Sequence, residues 1–384
     1  MNILLKLAIF GLKFIYFFIK LFPTKNKITM ISRQSNNSTI DFDVLSEEIN
    51  KQKKYKYVIL ARKLEPGILK KIKYIFHMFV QMYHLATSKV VILDSYCVVV
   101  SLLNHKKDLL VIQMWHAMGS LKKFGKSVLS TDTSTSALNK QMSKEEKLEL
   151  SNVMKMHNGY TYIFTSSEYC IPNFAEAFGY DESKLVVMPL PIVDRLTNKK
   201  YIENKIKEIK NEYKQTNNKK NIIYVPTFRV NENILKIQEL IDSVNYDKYN
   251  LIIKPHPLTI IDDKDERVIW DIKYSSLDMM MISDYIITDY SAIVFEASLL
   301  NKPIYFYTYD YEEYVDQRNF YIDYKKEMPG LFTATAETII TSIEKDDYDL
   351  DKIKYFSKKY IQLTDKTVCK EILNFIDKNI GGSK

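Results

Sequence analysis

Five short stretches of this 384-residue chain gather the side chains that move protons or hold phosphates. "QMWHAMGSLKKFG" (113–125) sets His116 after an apolar run, then Gly119, Ser120 and the adjacent Lys122 and Lys123. An imidazole titrates near neutral pH and suits a general base, although a lone histidine is more often structural. Two lysines just inside a helix would oppose its positive end, a placement that favours a bound anion; a solvated face explains them equally. "YVPTFR" (224–229) ends in Thr227 and Arg229, and "DQRNFY" carries Arg318. Guanidinium groups are planar, permanently charged phosphate ligands by type. "KPHP" (254–257) spaces Lys254 and His256 two apart between prolines, which stiffen the backbone and hold a side chain toward an oxyanion. A stiff loop with an exposed lysine is the plainer alternative. "TDYSAIVFEASLLNKPIYFY" (288–307) contains Thr288, Asp289 and Ser291, the last an expected N-cap of an apolar helix. The first N–H groups of such a helix form an anion site, and capping alone would also account for the serine. Glu296, on that apolar helix, needs a polar partner, which a ribose hydroxyl pair would supply.

Composition narrows the chemistry. Net charge is +8, which favours an anionic partner such as a phosphorylated substrate, a lipid headgroup or nucleic acid. The chain has nine glycines and no GxGxxG or GxxxxGK[ST] spacing, so phosphate must be held by side chains and helix ends. Cys97, Cys170 and Cys369 are far apart, which argues against a disulfide framework or a structural zinc site and fits a reducing compartment. No carboxylate cluster has metal-ligand spacing, so neither a metal nor another cofactor is expected as a fixed part of the site.

These stretches sit where parallel strands end. Ten apolar runs read as strands: 27–32, 57–61, 90–95, 109–115, 162–166 and 185–190, then 221–227, 250–256, 285–291 and 303–309. They alternate with helix-length charged segments, so the expected fold is α/β, with two Rossmann-type doubly wound domains. The divide is expected near Pro189 and Pro191, giving domains at 27–195 and 196–384. Ligands of open α/β sheets gather beyond the carboxyl ends of the strands. Trp115-His116, Thr165-Ser166-Ser167, Thr227-Phe228-Arg229, Lys254-Pro255-His256 and Thr288-Asp289-Tyr290-Ser291 lie there, and two facing domains would bring them to one cleft.

Residues 1–26 stand apart. "ILLKLAIFGLKFIYFFIKLF" (3–22) carries Lys6, Lys13 and Lys20 at seven-residue spacing, so on a helix the lysines form one stripe drifting about 20° per heptad. A spanning helix would bury Lys13 near the bilayer centre, at a cost of roughly 2.5–3.5 kcal/mol. An amphipathic helix lying in the membrane interface avoids that cost, because the lysines reach anionic headgroups while the aromatic side embeds. Packing on the protein's own surface is the alternative.

Taken in order, "WHAMGSLKKFG", "YVPTFR", "KPHP", "TDYSAIVFEASLLNKPIYFY" and "RNFYIDYKKEMPG" resemble the signature stretches of the CDP-glycerol glycerophosphotransferases of teichoic acid synthesis. The resemblance implies a GT-B-like pair of Rossmann-type domains on the cytoplasmic face of the membrane. It also implies transfer of glycerol phosphate from CDP-glycerol to a lipid-linked acceptor with release of CMP. Carried over, His116 is the candidate base and His256 a second catalytic candidate. Thr227, Arg229, Lys254, His256, Thr288, Asp289, Ser291, Glu296 and Arg318 become donor ligands, and Gly119, Ser120, Lys122 and Lys123 face the acceptor. "WHAMGSLKKFG" is closer to primase-type members than to extenders reading "WHGTPLKKLG". The primases act on an undecaprenyl-diphosphate-linked ManNAc-GlcNAc disaccharide. Where the family often reads "GYPRxD", this chain has Ile192 for the arginine in "PLPIVD". An extender of teichoic acid or capsule, using glycerol or ribitol phosphate, remains an alternative, as does a GT-B nucleotide-sugar transferase. A non-catalytic membrane or nucleic-acid binder would explain the charge but not the polar strand ends, so nucleic acid is not expected as a partner. A homo-oligomer, or an assembly with other teichoic acid enzymes, stays open.

Overall fold

Short β-branched runs, most of them followed by a helix that carries the chain back to the starting end of the sheet, pair in parallel throughout both sheets. The computed structural model describes residues 3–129, 142–227, 234–255, 264–317 and 319–380. The first sheet comprises β1 (Lys25–Ser32), β2 (Lys56–Ala61), β3 (Ser88–Leu93), β4 (Leu110–Gln113), β5 (Tyr162–Thr165) and β6 (Leu185–Val187), in the order β2-β1-β3-β4-β5-β6. The second comprises β7 (Lys220–Val225), β8 (Tyr249–Ile253), β9 (Val268–Trp270), β10 (Tyr285–Thr288), β11 (Ile304–Tyr307) and β12 (Phe332–Thr333), in the order β12-β11-β10-β7-β8-β9. Two doubly wound α/β sheets are thus present, as the strand pattern implied. β9 and β12 have three and two residues, too short to register as apolar runs.

Strand order reverses between β1 and β3 in one sheet and between β7 and β10 in the other. Such switch points leave a crevice at the strands' carboxyl ends where no crossover helix covers the sheet. Ser32 ends β1 and Asp94 follows β3, while Thr227 and Asp289 lie just beyond β7 and β10.

The chain divides into two compact units that differ from the expected domains. One holds residues 1–117, 123–194 and 362–384; the other holds 118–122 and 195–361. The last helix, Val368–Ile380, therefore belongs to the first unit, not to the domain expected at 196–384. Its buried face is Val368, Cys369, Ile372, Leu373 and Ile376, and Phe375 meets Tyr162 and Phe164 edge-on at 5.1 and 5.4 Å. An amphipathic pattern says that a helix buries one face, not which sheet receives it. Asp194 secures the return: its carboxylate accepts from Val368 N at 2.7 Å and Cys369 N at 3.0 Å, occupying first-turn donors of that helix.

The N-terminal segment forms a helix over Ile3–Ile19. Tyr16, 2% exposed, is its anchor, with its hydroxyl on His105 Nδ1 at 2.8 Å. Ile3, Leu7, Phe10, Phe14 and Phe17 remain exposed, as do Lys6 and Lys13, whereas Lys20 is half-buried over the Tyr16 ring. The helix packs against Ile68–Thr87, which itself exposes Ile68, Leu69, Ile72, Phe76 and Val80. Among the described residues no helix is long and apolar enough to cross a membrane.

Asp194→Ala should cost about 1–2 kcal/mol through loss of the cap. Hydrogen exchange should quicken in the first turn of Val368–Ile380 while the second unit is unaffected; uniform exchange would contradict the capping role.

Candidate active site

His116 is aimed by its neighbours on both sides. Trp115 takes a left-handed backbone (φ 63°), a conformation that costs a bulky residue about 1–3 kcal/mol. The indole returns that cost by stacking on Phe124 at 5.0 Å and meeting Phe178 edge-on at 5.3 Å. The next residue is thereby turned back over the end of β3, where His116 Nδ1 lies 2.8 Å from the Asp94 carbonyl oxygen. A carbonyl only accepts, so Nδ1 carries the proton and Nε2 keeps the lone pair. The residue as a whole is exposed. Desolvation by the surrounding chain nevertheless lowers its pKa below the ordinary 6.5, outweighing the opposing pull of that carbonyl. A neutral imidazole with a free Nε2 is what a general base at pH 7 requires.

Gln34, beyond β1, places its side-chain amide nitrogen 3.0 Å from the same Nδ1. Asp94 is 2% exposed, and burial pushes its carboxyl up to about 6. The hydroxyls of Ser32, Ser95 and Thr39 lie near enough to pull it down, yet none is aligned to hydrogen-bond either oxygen.

The segment after His116 is not a helix start. Met118, Ser120 and Leu121 are buried, and the chain runs extended: Lys122 bridges Phe320, and Tyr321 N donates to the Leu121 carbonyl. Gly119 (φ 65°) lies against the Phe295 ring, which would sit 2.4 Å from any Cβ. Gly119 and Ser120, expected to face the acceptor, are both buried here. Lys122 Nζ donates to Tyr314 Oη at 2.7 Å, and Lys123 pairs with Glu176 at 3.6 Å. The helix-end argument for these lysines does not apply, because no helix begins there.

In the second unit four of the residues expected to touch the donor, Thr227, Lys254, Thr288 and Asp289, make contacts that brace the loops after β7, β8 and β10. Asp289 is fully buried and accepts from Thr227 N through both oxygens at 2.9 Å and from Thr227 Oγ1 at 2.5 Å. Thr288 Oγ1 donates to the Val225 carbonyl at 3.0 Å. Lys254 Nζ sits 2.7 Å from Asp271 Oδ2, with the two side chains 11% and 0% exposed. Burial pushes the Asp271 carboxyl up, but the Lys254 and Tyr213 bonds outweigh it and hold it below its ordinary 3.8. Ser291 is not the N-cap: the helix runs Ile293–Leu299 with Ala292 at that position, and Ser291 Oγ accepts only a long 3.4 Å bond from Ile293 N. Glu296 is half-buried on that helix. Arg229, His256 and Arg318 lie outside the described residues. Among the described residues no three His, Cys, Asp or Glu side chains converge on a metal position.

Residues 14–378 match the family described as CDP-glycerol:poly(glycerophosphate) glycerophosphotransferase. The chain belongs to that family. It is an enzyme, a glycerophosphotransferase. It is 32% identical to the teichoic acid glycerol-phosphate primase of Bacillus subtilis over 98% of each chain. To the teichoic acid ribitol-phosphate primase of Bacillus spizizenii it is 29% identical, over 91% of this chain and 90% of that one. The fold is like that of the wall teichoic acid polymerase TagF, with a TM-score of 0.74, 22% identity, and 93% and 90% of the two chains covered.

In this glycerophosphotransferase, sequence reading missed Gln34, Asp94 and Asp271. The first two follow β1 and β3, a position that becomes informative only once the strand order is known. Asp271 follows β9, the strand the apolar pattern left out.

Lys254→Met should destabilise the second unit by about 3–5 kcal/mol, since it leaves the Asp271 carboxylate buried without its cation. Because the folded carboxyl titrates below the unfolded one, the pair's contribution is complete above the unfolded value and fades as pH falls through the folded value. Asp271→Asn should accordingly flatten the acid side of the stability curve, as measured by denaturant unfolding from pH 3 to 7. An unchanged curve would exclude the pair as a source of acid sensitivity.

Proposed function

We propose that this glycerophosphotransferase is a teichoic acid primase. It moves sn-glycerol 3-phosphate from CDP-glycerol to a hydroxyl of an undecaprenyl-diphosphate-linked ManNAc-GlcNAc disaccharide and releases CMP. The observation that carries the chemical step is the His116 tautomer, with Nδ1–H on the Asp94 carbonyl and Nε2 unprotonated. Similarity to a glycerol-phosphate primase along 98% of both chains supports the choice of substrate.

Nε2 takes the proton of the acceptor hydroxyl as its oxygen attacks the phosphorus that bears glycerol. The new P–O bond forms as the diphosphate P–O bond breaks, and CMP leaves with the bridging oxygen. Charge spreads over the transferred group and the departing CMP. Arg229, His256 and Arg318 are the side chains whose types suit its neutralisation. The Thr227–Asp289 and Lys254–Asp271 contacts brace the chain at Thr227 and Lys254, two residues before Arg229 and His256 in the sequence. One further observation favours a second reading, ribitol phosphate as the transferred group: the ribitol-phosphate primase matches at almost the same identity.

The enzyme works at the cytoplasmic face of the membrane as a peripheral protein. Exposed apolar residues on Ile3–Ile19 and Ile68–Thr87, with Lys6 and Lys13 beside them, support an anionic bilayer as the partner.

The test is CMP release by the purified enzyme from CDP-glycerol or CDP-ribitol, with and without a short-chain disaccharide-diphospholipid. CMP is expected with CDP-glycerol and acceptor together, stopping after one addition. Release with CDP-ribitol alone would replace the donor, and no release from either would overturn the assignment. His116→Ala should lower turnover about 10²–10⁴-fold while CDP-glycerol still binds, and kcat/KM of the wild type should rise with pH through a value below 6.5.

Membrane docking is tested by flotation with anionic vesicles. Phe10→Asp with Phe14→Asp should release the protein at unchanged unfolding temperature, and retained binding would count against this surface.

A further inference from the structure

Two groups crowd Nδ1 of His116: the Asp94 carbonyl at 2.8 Å and the Gln34 side-chain amide at 3.0 Å. The carbonyl requires a proton on Nδ1, and an amide N–H aimed at that same proton would be repelled. A half-turn of the amide brings Oε1 to the position instead, without change of shape. Nδ1–H is then shared between two neutral oxygens.

We infer that Gln34 is a positioning residue for His116, its amide oxygen joining the Asp94 carbonyl to hold Nδ1–H and so reserve Nε2 for the proton of the acceptor hydroxyl. This rests on the reading of His116 as the base. The loop that carries Gln34 is built for the purpose. Gln34 N donates to Ser32 Oγ at 3.1 Å, and Arg33 N donates to Ser95 Oγ at 2.9 Å. The end of β1 is thereby tied to the turn after β3, the turn that supplies the Asp94 carbonyl. Arg33 adds a bond from Nη1 to the Tyr96 carbonyl at 3.1 Å and lies over the Tyr74 and Tyr96 rings. Both oxygens that face Nδ1 therefore come from one braced pair of loops at the switch point of the first sheet. As His116 becomes imidazolium, both oxygens stabilise it, without the standing negative charge that a carboxylate would place there.

The charged and titratable groups nearby leave this contact clean. The Asp94 carboxyl is buried behind the turn, the Arg33 guanidinium is engaged with Tyr96, and His157 packs against Trp115. Burial and the Asp94 carbonyl are the influences that set the pKa of the ring, with no charged side chain among them. A carboxylate introduced at residue 34 would be the first, and Gln34 is exposed, so the exchange does not threaten the core.

The experiment follows the His116 ring by NMR titration in histidine-labelled full-length protein, with His116→Ala to assign the signal, alongside CMP release across pH. Gln34→Glu should raise the His116 pKa by about one unit. It should also carry the acid limb of kcat/KM upward by the same amount. Gln34→Leu should lower kcat about tenfold with KM for CDP-glycerol unchanged, as expected for one neutral hydrogen bond to the base. An unmoved His116 titration in Gln34→Glu overturns the contact and the proposal with it. A shifted titration with turnover and pH profile unmoved would leave the contact standing and remove both residues from the chemistry, which is the failure of the base assignment itself.

Discussion

A buried carboxylate at the end of β10 organises the second sheet. Asp289 receives the main-chain N–H and the hydroxyl of Thr227, so two strands that diverge at a switch point are joined beyond their last ladder bond. Parallel strands that end side by side leave backbone donors with nowhere to go, and unpaired buried donors cost as much as lost hydrogen bonds. A charge-assisted bond to a carboxylate settles that deficit in a small space. The Tyr324 hydroxyl, donating to the Asp289 carbonyl, extends the join to the aromatic cluster around Tyr290 and Tyr314.

The same logic recurs in variants suited to each loop. Lys254 and Asp271 are an ion pair in which nearly all solvent is excluded; Ser32 and Ser95 tie the loops after β1 and β3. Lys254, Thr288 and Asp289, which look like ligands in the sequence, turn inward.

His116 stands apart because it is held by carbonyl oxygen and not by a carboxylate. An aspartate behind an imidazole raises its pKa and stabilises the charged form in the ground state as well as during reaction. A main-chain carbonyl orients the ring as well and leaves it neutral. With desolvation already lowering the pKa, the ring favours its neutral form at pH 7. The left-handed Trp115 is the local strain that makes this orientation available, offset by its stacking on Phe124 and Phe178.

From sequence alone, apolar runs of four to eight residues located ten strands, because a strand covered on both faces must be apolar throughout. His116 was legible as a candidate base because its type and place after a strand are local properties, and the ordered motifs carried the family. Strand order, the return of Val368–Ile380 to the first unit and the inward turn of Lys254, Thr288 and Asp289 were not legible. Each depends on which distant segment supplies a partner, and a residue's type states what it can bond, not with whom. Lys122 shows this most directly: its neighbours suggested a helix end, yet the chain bends through 116–119, buries Met118 and Leu121, bridges Lys122 to Phe320 and gives its ammonium to Tyr314. Residue chemistry set the repertoire of the site, and only tertiary packing decided which groups are spent holding it together and which remain to react.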